Sequence, residues 1–423
     1  IVVTALNMPY AYVRIEKVIL GIVNEFTDAD ISGCEWNVTA NPLTFEVPLA
    51  SFDFTFLDVD RLYHESNPNT LINDIKENQQ VGFRFGYQLN SGGTEWVNCG
   101  LYRTTGNVTT EDTGIPRVTI KTAHASVNAD ELVRELDPTL VSLTEDEEVA
   151  VNINNVVDLM DSIGVTATID SVSSGTNFSP TVTVIDPNVT LKEYAQMIAN
   201  AYGLMWTVKR DSAYTEEMVL TEFAKLVRNA TDNYDSATLN LFDNNVYDSD
   251  GVYLFQFNNS TLYSPPNIKT VPKSDGIDYA RYNIDTNETE RATYPGSPTG
   301  TRLIKIDNPM VTTQGSPSTT TNPNTKFGEY ISDYYGEMKT YVLYNRGFPE
   351  LDVGDIVQIY ADYYDIDGET VLFQLIVQGM IVGNRISYNG SMKGETTVIG
   401  WETLTGKNVM VDNVLTYVAG KYR

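Results

Sequence analysis

Apolar and polar positions alternate with period two along much of the first 125 residues. Phe52-Asp53-Phe54-Thr55-Phe56-Leu57 and Val81-Gly82-Phe83-Arg84-Phe85-Gly86-Tyr87 each put aromatic side chains on one face, as half-buried strands do. Asn90-Ser91-Gly92-Gly93 supplies a hairpin turn, and Glu95 to Thr104 is the predicted return strand. Ile115 to Ile120 adds another. Closely spaced antiparallel strands broken by turn residues predict a barrel or sandwich over 1–128.

The period changes near residue 129. Thr144 and Glu147 have capping-box spacing, and Val149, Ile153, Val156, Val157 and Met160 follow at helical intervals. Gly164 stands where a C-terminal cap belongs, and Val165 to Ile169 reads as a strand. The unit recurs. Thr190 and Glu193 repeat the box, Leu191, Tyr194, Ala195, Ile198 and Tyr202 form the stripe, Gly203 ends it, and Leu204 to Val208 is the strand. Two such units predict a small α+β domain over 129–235.

Residues 236–340 are predicted to be an irregular connecting domain. Val252 to Phe257 and Leu303 to Ile306 read as its strands, and Gly315 to Thr321 as a loop. The spacing of Phe327, Tyr330, Ile331, Tyr334, Tyr335 and Met338 predicts a helix near 325–343. Strand patterns return in a second barrel domain, 341–423, at Ile356 to Tyr360, Val371 to Gln378, Met380 to Ser387 and Thr396 to Trp401. Its plan echoes the first barrel. Val81-Gly82 and Val353-Gly354 each open a strand, a hairpin follows, and Gly100-Leu101-Tyr102 and Gly379-Met380-Ile381 sit on the return side. The expected fold class is therefore mainly β with α+β insertions: two related antiparallel β-barrels joined by a small α+β domain.

Charge narrows the function. Asp and Glu number 56 against 28 Lys and Arg, a net charge of -28, and no basic block offsets it. From Ala129 to Asp170 eleven residues are acidic and only Arg134 is basic. Such a surface repels phosphate backbones, which argues against sequence-reading nucleic-acid binding while allowing a nucleic acid to pass without sticking. No apolar run is long enough for a membrane span. The start, Ile1-Val2-Val3-Thr4, lacks the regions of a signal peptide and an initiating Met, as expected of a processed chain or part of a longer one. Cys34 and Cys99 cannot make a disulfide scaffold and fit synthesis in a reducing cytosol.

Candidate chemistry is sparse. His64 and His124 leave little for a zinc site, and there is no nucleophile elbow, phosphate loop or zincin pair. The string Asp362 to Glu369 and Asp248-Ser249-Asp250-Gly251 invite a calcium reading, but the ligand spacing is wrong and Asp-Gly hairpin tips explain them better. Carboxylate pairs for glycoside hydrolysis arise by accident among 56 acids. Asn-x-Ser/Thr triplets such as Asn37-Val38-Thr39 and Asn188-Val189-Thr190 arise by chance in so Asn- and Thr-rich a chain. The 26 tyrosines, against 15 phenylalanines, suit interfaces or solvent-facing strands equally. We expect no enzyme, no catalytic, cofactor-binding or metal residues, and no cofactor.

The order of these features resembles one family, the tail hub proteins of tailed bacteriophages, baseplate hubs of contractile phages and tail-tip proteins included. Phe52 to Tyr63 followed by Asn67-Pro68-Asn69 is similar to the family's strand and Tyr-x-Pro-Asn-type turn. Val81 to Tyr87 with Gly100-Leu101-Tyr102 is similar to the strand pair of its first barrel. Thr190 to Val208 is similar to its Thr-Leu…Ala…Gly…Trp helix–strand unit. Phe348-Pro349-Glu350-Leu351-Asp352-Val353-Gly354-Asp355-Ile356-Val357 looks like its Pro-x-Leu-x-x-Gly-Asp-x-Val turn into the second barrel. The likeness covers most of the chain outside 236–300. It implies a structural virion protein at the tail tip, assembled in the host cytoplasm, without the wall-cutting domain many relatives carry. Three chains would form a pseudo-sixfold ring adapting the sixfold tail tube to the threefold tip. A tail tube or distal tail protein would lie above and tip, fibre or spike proteins below, with genome DNA passing through and no stable membrane insertion. The competing class is a β-rich carbohydrate- or receptor-binding tail protein using exposed aromatics.

Overall fold

A computed structural model describes residues 13–20, 24–27, 29–41, 46–88, 93–111, 114–124, 126, 130–138, 149–150, 153–169, 181–182, 188–202, 204–210, 216–222, 246–247, 253–270, 275–283, 288–294, 296–298, 300–308, 312–313, 338–364 and 371–401. The first module contains β1 (Val13–Leu20), β2 (Asn24–Phe26), β3 (Ile31–Thr39), β4 (Leu49–Leu57), β5 (Gln80–Gln88), β6 (Thr94–Glu111) and β7 (Arg117–His124). They pair in the order β2-β1-β5-β6-β7-β4-β3. Period-two alternation is visible in β7, whose every second residue from Val118 is buried.

This sheet rolls up. Phe26 of β2 lies 4.3 Å from Phe56 of β4, ring centre to ring centre, although four strands separate β2 from β4 along the ladder. Phe52 of β4 stacks on Phe83 of β5 at 3.5 Å. Trp36 donates from Nε1 to the Tyr102 hydroxyl at 2.7 Å, which satisfies the one polar atom its buried indole carries. The aromatic face legible in the sequence is thus the inside of the first barrel.

The α+β part begins with α1 (Val133–Leu136) and β8 (Val149–Ala150), then α2 (Ile153–Ser162), β9 (Ala167–Ile169), β10 (Thr181–Val182), α3 (Leu191–Tyr202), β11 (Leu204–Arg210) and β12 (Glu216–Glu222). The capping box at α3 is formed: Thr190 Oγ1 accepts from the Glu193 N–H at 3.2 Å, and Glu193 Oε2 accepts from the Thr190 N–H at 3.0 Å. Leu191, Tyr194, Ala195 and Ile198 are buried as the stripe required. Gly164 closes the turn after α2 at φ +83, the left-handed conformation a C-terminal cap needs. The box at Thr144 and the cap at Gly203 lie outside the described residues.

The remaining strands are β13 (Val246–Tyr247), β14 (Tyr253–Phe257), β15 (Asn267–Thr270), β16 (Gly276–Asn283), β17 (Glu288–Tyr294), β18 (Leu303–Ile306), β19 (Thr312–Thr313), β20 (Met338–Asn345), β21 (Ile356–Tyr364), β22 (Val371–Tyr388) and β23 (Met392–Trp401). β16 to β19 form their own sheet. The others build the second module in the order β13-β14-β21-β22-β23-β20-β15. β14 and β15 come from the stretch read as a connecting domain, and the boundary at 340/341 falls inside β20.

Two expectations are corrected. The helix near 325–343 fails over its last part: residues 338–345 are strand β20, paired along their length with β23, because ladder pairing overrides a helical spacing carried by one residue, Met338. Its earlier residues lie outside those described. The stretches Val371–Gln378 and Met380–Ser387 are one strand, running through Gly379. A Cβ there would sit 2.5 Å from the Ile399 carbonyl oxygen and 2.6 Å from Val398, so Gly379 marks close approach of a neighbouring strand and no break.

Candidate assembly interface

The two modules are copies in topology. In the first, β5, β6 and β7 form consecutive hairpins, β7 pairs with β4, and β4 with β3, all antiparallel. In the second, β21, β22 and β23 form consecutive hairpins, β23 pairs with β20, and β20 with β15, again all antiparallel. The central strands, β6 and β22, are both 18 residues long. Each pairs by its first half with the preceding strand and by its second half with the following one. Laying Gly100-Leu101-Tyr102 on Gly379-Met380-Ile381 also lays buried Thr122 of β7 on buried Thr396 of β23.

Among the described residues, one intrachain strand junction joins the modules. β3 of the first pairs antiparallel with the second half of β22, from Gly383 opposite Thr39 to Tyr388 opposite Cys34. It occupies the side of β22 that β21 has left. On the outer face Arg385 bridges Glu35 at 2.9 Å, and both ends are about half exposed, so the pair adds little stability but fixes register. That contact also raises the Arg385 pKa above the usual range. Glu35 stands opposite Asp53, and Asp53 opposite Lys121. Burial pushes the Asp53 carboxyl above its ordinary value, against the Thr122 backbone and Lys121, which pull it down.

A buried amide network fixes the turn into β21. Asn384 Nδ2 donates to the Phe348 and Leu351 carbonyls at 2.9 and 3.0 Å, and Asn384 Oδ1 accepts from Thr396 Oγ1 at 3.2 Å. Asn345 Nδ2 donates to Thr396 Oγ1 at 2.9 Å, and Asn345 Oδ1 accepts the Gly347 N–H at 2.8 Å. The turn then docks on the α+β part, where the Val208 N–H donates to the Val353 carbonyl at 3.1 Å. Gly354 is needed there: its φ is +102, and a Cβ would meet Thr207 at 2.6 Å. The Tyr63 turn is held in a comparable way, with the Asp58 carboxylate accepting the Leu62 and Tyr63 N–H groups at 2.8 and 3.0 Å.

The sequence candidates for metal or catalytic chemistry do not converge. No three His, Cys, Asp or Glu side chains cluster for a metal among the described residues. Asp362 is engaged by Asn259, which donates to its carboxylate at 2.6 Å; positions 365–369 of that string, and 248–251, lie outside the described residues. His64 Nδ1 accepts the Ser66 N–H at 3.1 Å, and His124 Nδ1 the Ser126 N–H at 3.2 Å. Cys34 and Cys99 are buried thiols outside any disulfide, and burial raises the Cys34 thiol pKa well above its usual value. An open cleft of about 350 Å³ beside the first barrel is lined by Glu77, Arg103, His124, Asp130 and Glu131. No helix among the described residues is long and apolar enough to cross a membrane.

No protein-family model matches the chain, and no curated protein matches it. Solved structures do resemble it. The 43 kDa tail protein of prophage MuSo2 from Shewanella oneidensis matches with a TM-score of 0.47 and 12% identity, covering 91% of this chain and 97% of that one. The tail protein from Neisseria meningitidis MC58 matches with a TM-score of 0.48 and 11% identity, over 92% and 96%. The Francisella PdpA-VgrG complex, in its lidded form, matches with a TM-score of 0.47 and 10% identity, over 94% and 53%.

Proposed function

We propose that this chain is a structural, non-enzymatic hub of a phage tail tip, three copies of which form a ring that joins a sixfold tail tube to a threefold tip. The observation that carries the proposal is the pair of barrels of one strand order, set side by side in one sheet. Three chains then present six similar units, which is what a sixfold partner requires of a threefold one. The motif order from Phe52 to Val357 supports the same family. The net charge of -28 suits a bore through which DNA slides without being held. Tube or distal tail proteins would contact one rim and tip, fibre or spike proteins the other. The mass of the purified particle in solution tests the stoichiometry. A ring of three copies is expected, and a stable ring of any other number would overturn the proposal.

A further inference from the structure

The equivalence of the modules leaves an open place for each partner of the internal junction. β3 has a counterpart, β15, and the second half of β22 has a counterpart, the end of β6. Inside the chain β3 and β22 cover each other: Trp36 and Val38 are buried on one side, Asn384 and Ile386 on the other. Among the described residues no strand covers their counterparts. Matching the two sheets through β7 and β23 sets Val108, Thr109 and Thr110 on Ile386, Ser387 and Tyr388. Matching through β4 and β20 sets Ile268 on Val38. Val38 is 3% exposed and Ile268 is 44% exposed. From Asn107 to Glu111 every residue but the half-buried Val108 is exposed. Among the described residues, β15 pairs on one side only, with β20, and this half of β6 on one side only, with β7.

We propose that β15 of one copy adds, antiparallel, to the Asn107–Glu111 end of β6 in a second copy of this chain. The occupant follows from the internal junction. Directions in the two modules match strand by strand, so β15 meets β6 with the same antiparallel sense in which β3 meets β22. Lys269 on β15 and Glu111 on β6 are exposed and of opposite charge, as Glu35 and Arg385 are within the chain. Each copy thus carries one of each edge, and contacts run head to tail. Ring closure, but not the pairing itself, rests on the hub proposal above.

Local chemistry sets the length of this ladder. Pro265 and Pro266 precede β15 and cannot donate, so only Asn267–Thr270 can pair. Thr104, where strict equivalence would place Ile268, already exchanges backbone hydrogen bonds with Asn78 and Gln79, and residues 105–107 bulge. The contact is therefore shifted toward the end of β6 and shorter than the internal one. Proline and lysine at an edge also discourage unspecific strand pairing, which favours one complementary edge over many.

Disulfide trapping in the full chain tests the pairing, because it captures even a short ladder. Lys269→Cys mixed with Asn107→Cys, Thr109→Cys or Glu111→Cys should give intermolecular dimers with at least one partner, and Thr110→Pro or Ile268→Pro should abolish them while circular dichroism and a cooperative melt show the chain still folded. Absence of any cross-link at every protein concentration would overturn the proposal, as would cross-links unaffected by the prolines. A threefold ring lacking these cross-links would remove the strand pairing and leave the hub standing. Cross-linked open filaments would keep the pairing and remove the hub ring.

Discussion

The first and second barrels share a strand order but reach a packed interior by different chemistry. The first is filled by aromatic rings: Trp36, Phe52, Phe54, Phe56, Phe83, Phe85 and Tyr102 are all buried. The second is mostly aliphatic, with Leu343, Val357, Ile359, Ile381 and Val398, and it buries amides. Gln256 donates to Gln358 at 2.8 Å, and Asn345 and Asn384 hold the turn before β21. The flanking hairpins differ too. In the first barrel the strand against β5 is β1, the earlier arm of its hairpin, and it runs antiparallel. In the second the strand against β21 is β14, the later arm of its hairpin, and it runs parallel. The common unit is therefore the five strands, and the hairpin is turned over. Ladder order tolerates this, since backbone groups pair in either sense, while the side chains that fill the interior are free to diverge.

The largest expected effect breaks the aromatic side of this contrast. Phe52→Ala removes a fully buried ring stacked on Phe83 and should cost about 3–5 kcal/mol, read from the denaturant midpoint. Phe52→Leu should recover much of that, because volume and apolarity are largely kept. Next comes the amide side. Asn384→Leu takes the side-chain donor from the Leu351 carbonyl, at about 1–3 kcal/mol, while the Phe348 carbonyl keeps the Leu351 N–H at 3.2 Å. Hydrogen exchange should rise at Gly354, whose N–H donates to the Ile381 carbonyl at 2.9 Å, more than at Val81 in the first barrel. Equal protection at both would contradict a network confined to the second barrel.

Smaller effects sharpen the picture outside the barrel interiors. Thr190→Ala unmakes the capping box of α3 and should cost about 1 kcal/mol in thermal unfolding, with Thr190→Ser near neutral. Asp53→Asn should slightly raise the melting temperature at neutral pH. Its folded pKa is raised from 3.8 by burial, so the stability tied to its protonated form is present below that value and is lost as pH rises through the raised one. The difference from the parent chain should therefore vanish in acid. A melting temperature lowered at neutral pH, with the difference again closing in acid, would show that Lys121 outweighs burial.

Much of this was legible in the sequence, for physical reasons that also mark where legibility ends. Alternation at 52–57 and 81–87 reports one buried face, and these became β4 and β5. The Thr190–Glu193 box and Gly164 carry local chemistry that needs no tertiary partner, and both formed as read. Alternation does not say which strand lies alongside, so the β3–β22 junction and the membership of β14 and β15 in the second barrel were invisible. Gly379 was misread because a glycine that breaks a strand and one that admits a close neighbour look alike in one sequence. The open edges at β6 and β15 carry no signal in the sequence, since an unpaired strand end such as Asn107–Glu111 reads the same whether or not a copy covers it.

A map of the assembled particle tests most directly whether the two barrels of each chain act as equivalent units around an axis. Three copies should appear, with six barrels alternating around an electronegative bore. A single copy, six copies on a sixfold axis, or a basic inner wall would contradict it.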